Sequence, residues 1–316
     1  MRRHVLSFIV LALTLSTLIS AQAQTPAAAI DHFKNGIKKT SQGDLDGAIE
    51  DYSRAIALSS QLNSSRKGRA SASSFADPSD ASTDDVRVID PFTANVYSNR
   101  GLVRYQKGDY PGAIDDFTAA IRIRPGLEIA YLNRAAALRA NGQWEPALKD
   151  LDKAMALKKN FVEALTNRGS LYHDLGRDKE ALADLDRAIQ LNDHVPEAFY
   201  QRGYVHLVFN NLDPSVKDFN RAIELAPTMA WAYQGRGTAF MKQGRMQQAI
   251  DDFTQAAKIK PDLVWAYLNR GVAEVYLGDE AAAQRDFDTC LKLNANLKAQ
   301  IDHKVELARK LRQMSQ

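Results

Sequence analysis

The chain is poorest in cysteine. Among 316 residues only Cys290 carries a thiol, so no internal disulfide and no cysteine-based metal cluster can form. Charge of one sign is also scarce. Lys and Arg number 41 against 38 Asp and Glu, a formal net charge of +3. That balance lacks the basic stripe of a dedicated nucleic-acid binder. The longest apolar run, Val5 to Ile19, is shorter than the roughly 20 residues a membrane-spanning helix needs. P-loop, G-x-S-x-G, H-E-x-x-H and paired Cys-x-x-Cys motifs are all missing. The histidines are scattered, and His173 reads as an isolated surface residue. Asp44-Leu45-Asp46-Gly47 has the look of a calcium-loop fragment without the downstream ligand spacing. These absences leave no catalytic residues, no metal ligands and no cofactor to name, and the expectation is a protein that is not an enzyme.

What the chain has in abundance is repetition. Asn99-Arg100-Gly101, Asn133-Arg134-Ala135, Asn167-Arg168-Gly169, Gln201-Arg202-Gly203, Gly235-Arg236-Gly237 and Asn269-Arg270-Gly271 recur every 34 residues without slippage. A fixed period of this length marks a stacked array, and arrays serve as binding surfaces. Other columns share the register. Small residues occupy Ala113, Ala147, Ala181, Ser215, Ala249 and Ala283, and again Ala120, Ala154, Ala188, Ala222, Ala256 and Cys290. Between them runs a bulky column: Phe117, Leu151, Leu185, Phe219, Phe253 and Phe287. The apolar spacing within each copy fits two helices, with a glycine at 108, 142, 176, 244 and 278 breaking between them. Pro111, Pro146 and Pro214 fall in the first turn of the second helix, where a missing N–H costs little. Small columns let two antiparallel helices approach, and the bulky residue fills the space beside them. Cys290 replaces Ala in its column and reads as a buried packing residue.

These residues resemble the tetratricopeptide repeat, a helix–turn–helix unit of 34 residues with small residues at fixed columns, an aromatic between two of them and often a terminal proline. Pro125, Pro227 and Pro261 match that proline, whereas Lys159, Asp193 and Ala295 do not, and Arg replaces the family's usual Leu before the first small column. The resemblance implies an all-α fold, a right-handed α-solenoid of seven repeats. Gly36, Gly43, Ala48, Tyr52 and Ala55 place the first copy at 29–62. Residues 63–93, rich in Ser, Ala and Asp, form an insertion expected to be a mobile loop, either passive or a docking segment. Six contiguous repeats fill 94–297. Residues 298–316 then depart from the pattern, with Leu297, Ile301, Val305 and Ala308 on one helical face, as in a capping helix.

The N-terminus reads as a secretory signal over residues 1–23. Arg2, Arg3 and His4 precede the apolar run, and Ala21-Gln22-Ala23 supplies a small-x-small cleavage pattern. The expected location is periplasmic, or secreted, after cleavage. The style of the signal and the repeat variant suggest a bacterial source, and no membrane span remains in the mature chain.

The Arg column faces an equally regular Asp column: Asp51, Asp116, Asp150, Asp184, Asp218, Asp252 and Asp286. Half-buried opposite charges should pair. The first copy has Asn35 in place of Arg yet keeps Asp51. This count predicts pairing of each Asp with the Arg of the following repeat, as Asp116–Arg134 and Asp252–Arg270, leaving Asp286 unpaired. The role expected is registration of neighbouring repeats.

In this family the first helix of each repeat lines the concave face. Asn99, Asn133, Asn167, Gln201 and Asn269, interrupted by Gly235, resemble the asparagine ladder with which such proteins grip an extended peptide. A carboxamide both donates and accepts, so it can match any peptide unit. The same residues read equally as amides bonded to neighbouring helices or water. Tyr105, Tyr200, Tyr204 and Trp231 are the aromatic candidates for the groove, or for packing. Phe33, Ile37, Ile129 and Asn133 replace the Lys and Asn pattern of a carboxylate clamp. The expected function is a non-catalytic protein- or peptide-binding adaptor. A self-associating scaffold, and thus a homo-oligomer, is the alternative.

Overall fold

A computed structural model describes residues 26–73 and 91–315, so the proposed signal lies outside the described residues. Every element among them is helical: α1 (Ala27–Ser41), α2 (Leu45–Ser73), α3 (Pro91–Gln106), α4 (Tyr110–Ile123), α5 (Glu128–Ala140), α6 (Trp144–Leu157), α7 (Val162–Asp174), α8 (Asp178–Leu191), α9 (Pro196–Val208), α10 (Leu212–Leu225), α11 (Ala230–Lys242), α12 (Met246–Ile259), α13 (Val264–Leu277), α14 (Glu280–Leu293) and α15 (Lys298–Ser315). A 3-10 turn, Ala295–Leu297, leads into α15. The chain divides into two compact units, residues 1–167 and 168–316. In the first, α1 packs on α2, α3 on α4 and α5 on α6; in the second, α9 packs on α10, α11 on α12 and α13 on α14. Within each unit the pairs stack in sequence, as in an α-solenoid.

The 34-residue period explains each hairpin. A single residue in the left-handed region turns the chain between paired helices: Gly108 at φ 81° and Gly278 at φ 96° are examples. The fifth repeat uses Asn210 at φ 59° instead, the residue that tolerates this conformation next best. Aspartates cap several second helices. Asp109 Oδ1 accepts from Gly112 N at 3.0 Å and Asp279 Oδ1 from Ala282 N at 2.9 Å. Asp44 does the same for Gly47 N at 2.9 Å, so the calcium-like tetrapeptide begins a helix cap.

The core runs along the small and bulky columns. Phe117, Leu185, Phe219 and Phe253 are fully buried, as are Ala113, Ala120, Ala181, Ala188, Ala222, Ala249 and Ala256. The ring of Phe253 sits where a Cβ on Gly237 would be, 2.8 Å away. Glycine in that column is therefore a requirement of helix approach. Cys290 is buried in its Ala column, its thiol facing the Val264 carbonyl oxygen at 3.5 Å.

One boundary differs from the sequence reading. Helix α2 continues to Ser73, into the segment expected to be a loop, and residues 74–90 lie outside the described set. Ser, Ala and Arg are compatible with helix once a packed segment nucleates it, even without an apolar stripe. At the other end α15 covers the last pair. Ile301 and Ala308 are buried in one cluster with Leu268, Val275, Phe287 and Cys290.

Candidate functional site

The Arg and Asp columns meet within each repeat. Arg134 Nε and Nη2 donate to both carboxylate oxygens of Asp150, each at 2.7 Å. The same two-pronged contact joins Arg100 to Asp116, Arg168 to Asp184, Arg202 to Asp218, Arg236 to Asp252 and Arg270 to Asp286, all between 2.6 and 2.9 Å. The expected Asp116–Arg134 and Asp252–Arg270 pairs do not form, and Asp286 is paired. The physical reason is the hairpin. A turn between antiparallel helices brings a residue and the one 16 positions later to the same level, so the closest carboxylate belongs to the same repeat.

The first copy solves its missing Arg differently. Asp51 takes Lys39 Nζ at 2.7 Å and His32 Nδ1 at 2.8 Å, both from α1 and both flanking Asn35 on one helix face. Burial opposes the Asp51 charge, yet the hydrogen bonds from Lys39 and His32 carry its carboxyl below the ordinary value.

Five of the six arginines also tie repeats together, through the remaining nitrogen. Nη1 reaches back to the residue two beyond the preceding Asp: Arg134 to Thr118 at 3.0 Å, Arg202 to Asp186 at 2.7 Å, Arg236 to Asn220 at 2.7 Å and Arg270 to Thr254 at 3.0 Å. Arg100 reaches Ser53 at 2.8 Å, 47 residues away instead of 16, because the insertion intervenes. An aromatic one turn earlier stacks on most of these guanidiniums, as Tyr97 on Arg100 at 5.4 Å and Tyr267 on Arg270 at 5.7 Å. In these five cases the third nitrogen bridges neighbouring repeats, as the registration reading expects.

The amide row lies deep. Asn133 is 2 % exposed, Asn167, Gln201 and Asn269 are buried, and Asn99 is half-buried with its Nδ2 donating to the Asn95 carbonyl at 2.8 Å. The Asn133 carboxamide oxygen is buried and accepts no hydrogen bond. Gly235 interrupts the row for a steric reason: a Cβ there would fall 2.5 Å from the ring of Phe219.

The aromatic candidates separate. In the second unit Tyr200 and Tyr204 lie 6.4 Å apart, Tyr200 also contacts Phe219 at 6.0 Å, and His173 meets Tyr204 edge-on at 5.5 Å. His173 is buried and bonded to Asp178 at 2.5 Å, which corrects its reading as an isolated surface residue; the carboxylate supplies the partner that burial requires. Trp231 is half-buried and packs in a different cluster with Leu263 and Ala266. In the first unit Tyr105 stacks on Tyr110 at 5.3 Å. Sequence reasoning passed over Val208 and Phe209, about half exposed beside Tyr204 in the chain. Their exposed apolar character at the end of a first helix was the available signal.

One titrating group was also missed. Glu274 on α13 is buried at one oxygen, without a partner there. Burial first, then the charge of Asp286, pushes its carboxyl up to about 7, against the opposing Arg270. A folded value above the unfolded 4.5 means that the native state holds this proton more tightly. The associated stability is present below about pH 4.5 and is lost as pH rises through about 7. Glu274→Gln should therefore stabilise the protein by about 2 kcal/mol near pH 8, with the gain vanishing towards pH 4.5 in urea titrations. An equal gain at both pH values would refute this assignment.

Among the described residues no three His, Cys, Asp or Glu side chains converge as a metal site, and no helix is long and apolar enough to cross a membrane. Burial pushes the Cys290 thiol up to about 12 and leaves it unreactive.

Comparison with known proteins agrees with this geometry. Tetratricopeptide repeat sequence models match residues 94–127, 196–229, 230–263 and 266–297, and a further repeat model of the same kind matches 135–176 and 169–207. No curated protein matches the chain. Among solved structures, a tetratricopeptide repeat protein from Parabacteroides merdae is 21% identical, covers 89% of this chain and 98% of its own, and has a TM-score of 0.61. A thermophilic repeat protein of Thermus thermophilus is 20% identical over 57% of this chain and 98% of its own, with a TM-score of 0.51. At such identities these structures speak for the fold alone. The matched models describe a protein-interaction fold, none of them an enzyme, and with the repeat columns they show that the chain belongs to the tetratricopeptide repeat family.

Proposed function

We propose that the chain is a non-catalytic adaptor of the cell envelope, exported to the periplasm or secreted through residues 1–23, that holds a protein or extended peptide on the groove face of its first helices. The observation that carries this reading is Tyr204. It is 36 % exposed, yet its ring contacts Tyr200 and His173, and Asp178 is bonded to His173 in turn. An exposed aromatic whose position is set before binding is a suitable anchor. In the first unit, taken by itself, Asn133 has a buried side-chain oxygen with no donor among the described residues, which a peptide N–H could satisfy once the side chain turns outward. The near-balance of charge favours a polypeptide ligand over nucleic acid.

The test is capture from an envelope extract, comparing the native chain with Tyr204→Ala and with Asn133→Ala/Asn167→Ala. Loss of Tyr204 should weaken capture of the partner about tenfold or more while helicity stays constant. Equal capture by all three proteins would remove the groove from consideration.

A further inference from the structure

Helix α15 has two apolar faces, and the fold uses one. Ile301 and Ala308, with Val305 half-buried, pack against Leu268 and Val275 of α13. Leu307, Leu311 and Met314 follow one another at intervals of four and three, so they share a second face. They are 49 %, 46 % and 76 % exposed. Three large apolar side chains in a row on the outside of a capping helix call for a cover.

The charges around this stripe identify what covers it. Lys304 stands one turn before Leu307 and Lys310 one turn before Met314; in helical projection they fall about 60° to either side of Leu307. Among the described residues no carboxylate pairs with either lysine. The neighbouring cations are occupied: Arg309 is bound by Glu280 at 2.6 Å, and Arg312 donates to the Val275 carbonyl at 3.1 Å. Asp302 is held by Lys298 at 2.6 Å, and Glu306 lies beyond Lys310, away from the stripe. The result is an apolar ridge with a free ammonium on each side.

We propose that this face of α15 docks on an anionic lipid surface. Leucine and methionine side chains would enter the acyl boundary while the two lysines extend to the headgroups. A second copy of the chain would set its own lysines against these, a like-charge arrangement that disfavours self-pairing. A peptide ligand would have to bring its own groove, because the stripe is a ridge on a single helix.

The test uses the full chain carrying Met314→Cys labelled with an environment-sensitive fluorophore; the buried Cys290 thiol stays silent. Vesicles of phosphatidylcholine alone are compared with vesicles that also contain phosphatidylglycerol. The label sits on α15, so its signal is separate from any vesicle binding by the N-terminal apolar run. The expected result is a blue-shifted, brighter emission with phosphatidylglycerol alone, weakened by high salt. Lys304→Glu/Lys310→Glu should reduce the partition coefficient at least about tenfold, and Leu307→Ser/Leu311→Ser should abolish the shift. An unchanged emission with anionic vesicles overturns the proposal. So does a shift of equal size on neutral vesicles, a shift that survives both pairs of substitutions, or one that grows with protein concentration in the absence of lipid.

Discussion

Asp252→Ala should destabilise the second unit by roughly 2–4 kcal/mol, read as a lower urea midpoint with the far-ultraviolet spectrum of the folded state unchanged. Removing one member of a buried pair usually costs about 3–5 kcal/mol because the other charge is stranded. The lower range applies here because the Arg236 side chain keeps 21 % of its surface in water. Asp252 itself is the more deeply held partner. Burial drives its carboxyl above the ordinary value, with Arg236 acting in the opposite direction. Arg236→Leu alone should therefore be costly too, since it leaves Asp252 unpaired and separates Asn220 from its donor. The double variant Arg236→Leu/Asp252→Leu should recover most of the loss, because an apolar pair strands no charge. If the double variant loses the sum of the two single effects, the pair is not coupled and the registration role falls.

Phe219→Ala should cost about 3–5 kcal/mol, among the largest losses available to a single substitution in this chain. The ring is fully buried and stands between two repeats. One edge lies 3.2 Å from where a Cβ on Gly203 would be, in its own hairpin, and its tip 2.5 Å from the same point on Gly235, in the next. Truncation leaves a cavity shared by two helix pairs, and neither can close it without moving away from the other. Stability in a stacked array is a sum of repeat and interface terms. Phe219→Ala lowers both together, so the unfolding transition should broaden as well as shift. A sharp transition with a loss below about 1 kcal/mol would show that the hairpins repack around the gap.

The fold was legible in the sequence because its determinants recur. One Gly-to-Phe contact proves little, but the same small, bulky and small columns at constant spacing specify a hairpin and its copies. The pairing of charges was not legible in direction. Seven aspartates face six arginines, so the count leaves one Asp over, and Asn35 argued against pairing within a repeat. His32 and Lys39 remove that objection: two residues from the same face of α1 do for Asp51 what one guanidinium does elsewhere. Arg100, Arg134, Arg202, Arg236 and Arg270 satisfy an Asp in their own hairpin and a second acceptor in the preceding one, and a list of columns cannot show which nitrogen faces which neighbour. The candidate groove was legible as residue types and obscure as depth. Asn133 and Asn269 occupy equivalent places, yet the extent of their burial depends on the side chains packed around each helix. Helix α15 shows the reverse problem. Its inward face followed from Ile301 and Ala308, while Leu307 and Leu311 went unremarked because a terminal helix has no second copy for comparison.

The arginine contacts have an evolutionary consequence. In five repeats the residue finds its carboxylate 16 positions ahead and its second acceptor at the equivalent site one repeat behind. A duplication or deletion of 34 residues, wherever its endpoints fall within a unit, restores the same relation at the new junction. Recombination can thus lengthen or shorten such an array without stranding a charge. Arg100 shows that the tolerance extends further: it makes its contact with Ser53 across the intervening segment, 47 residues away. The acceptor has varied among Ser, Thr, Asn and Asp. Drift at that site adjusts how firmly one module adheres to the next while the reading frame of the repeat stays intact.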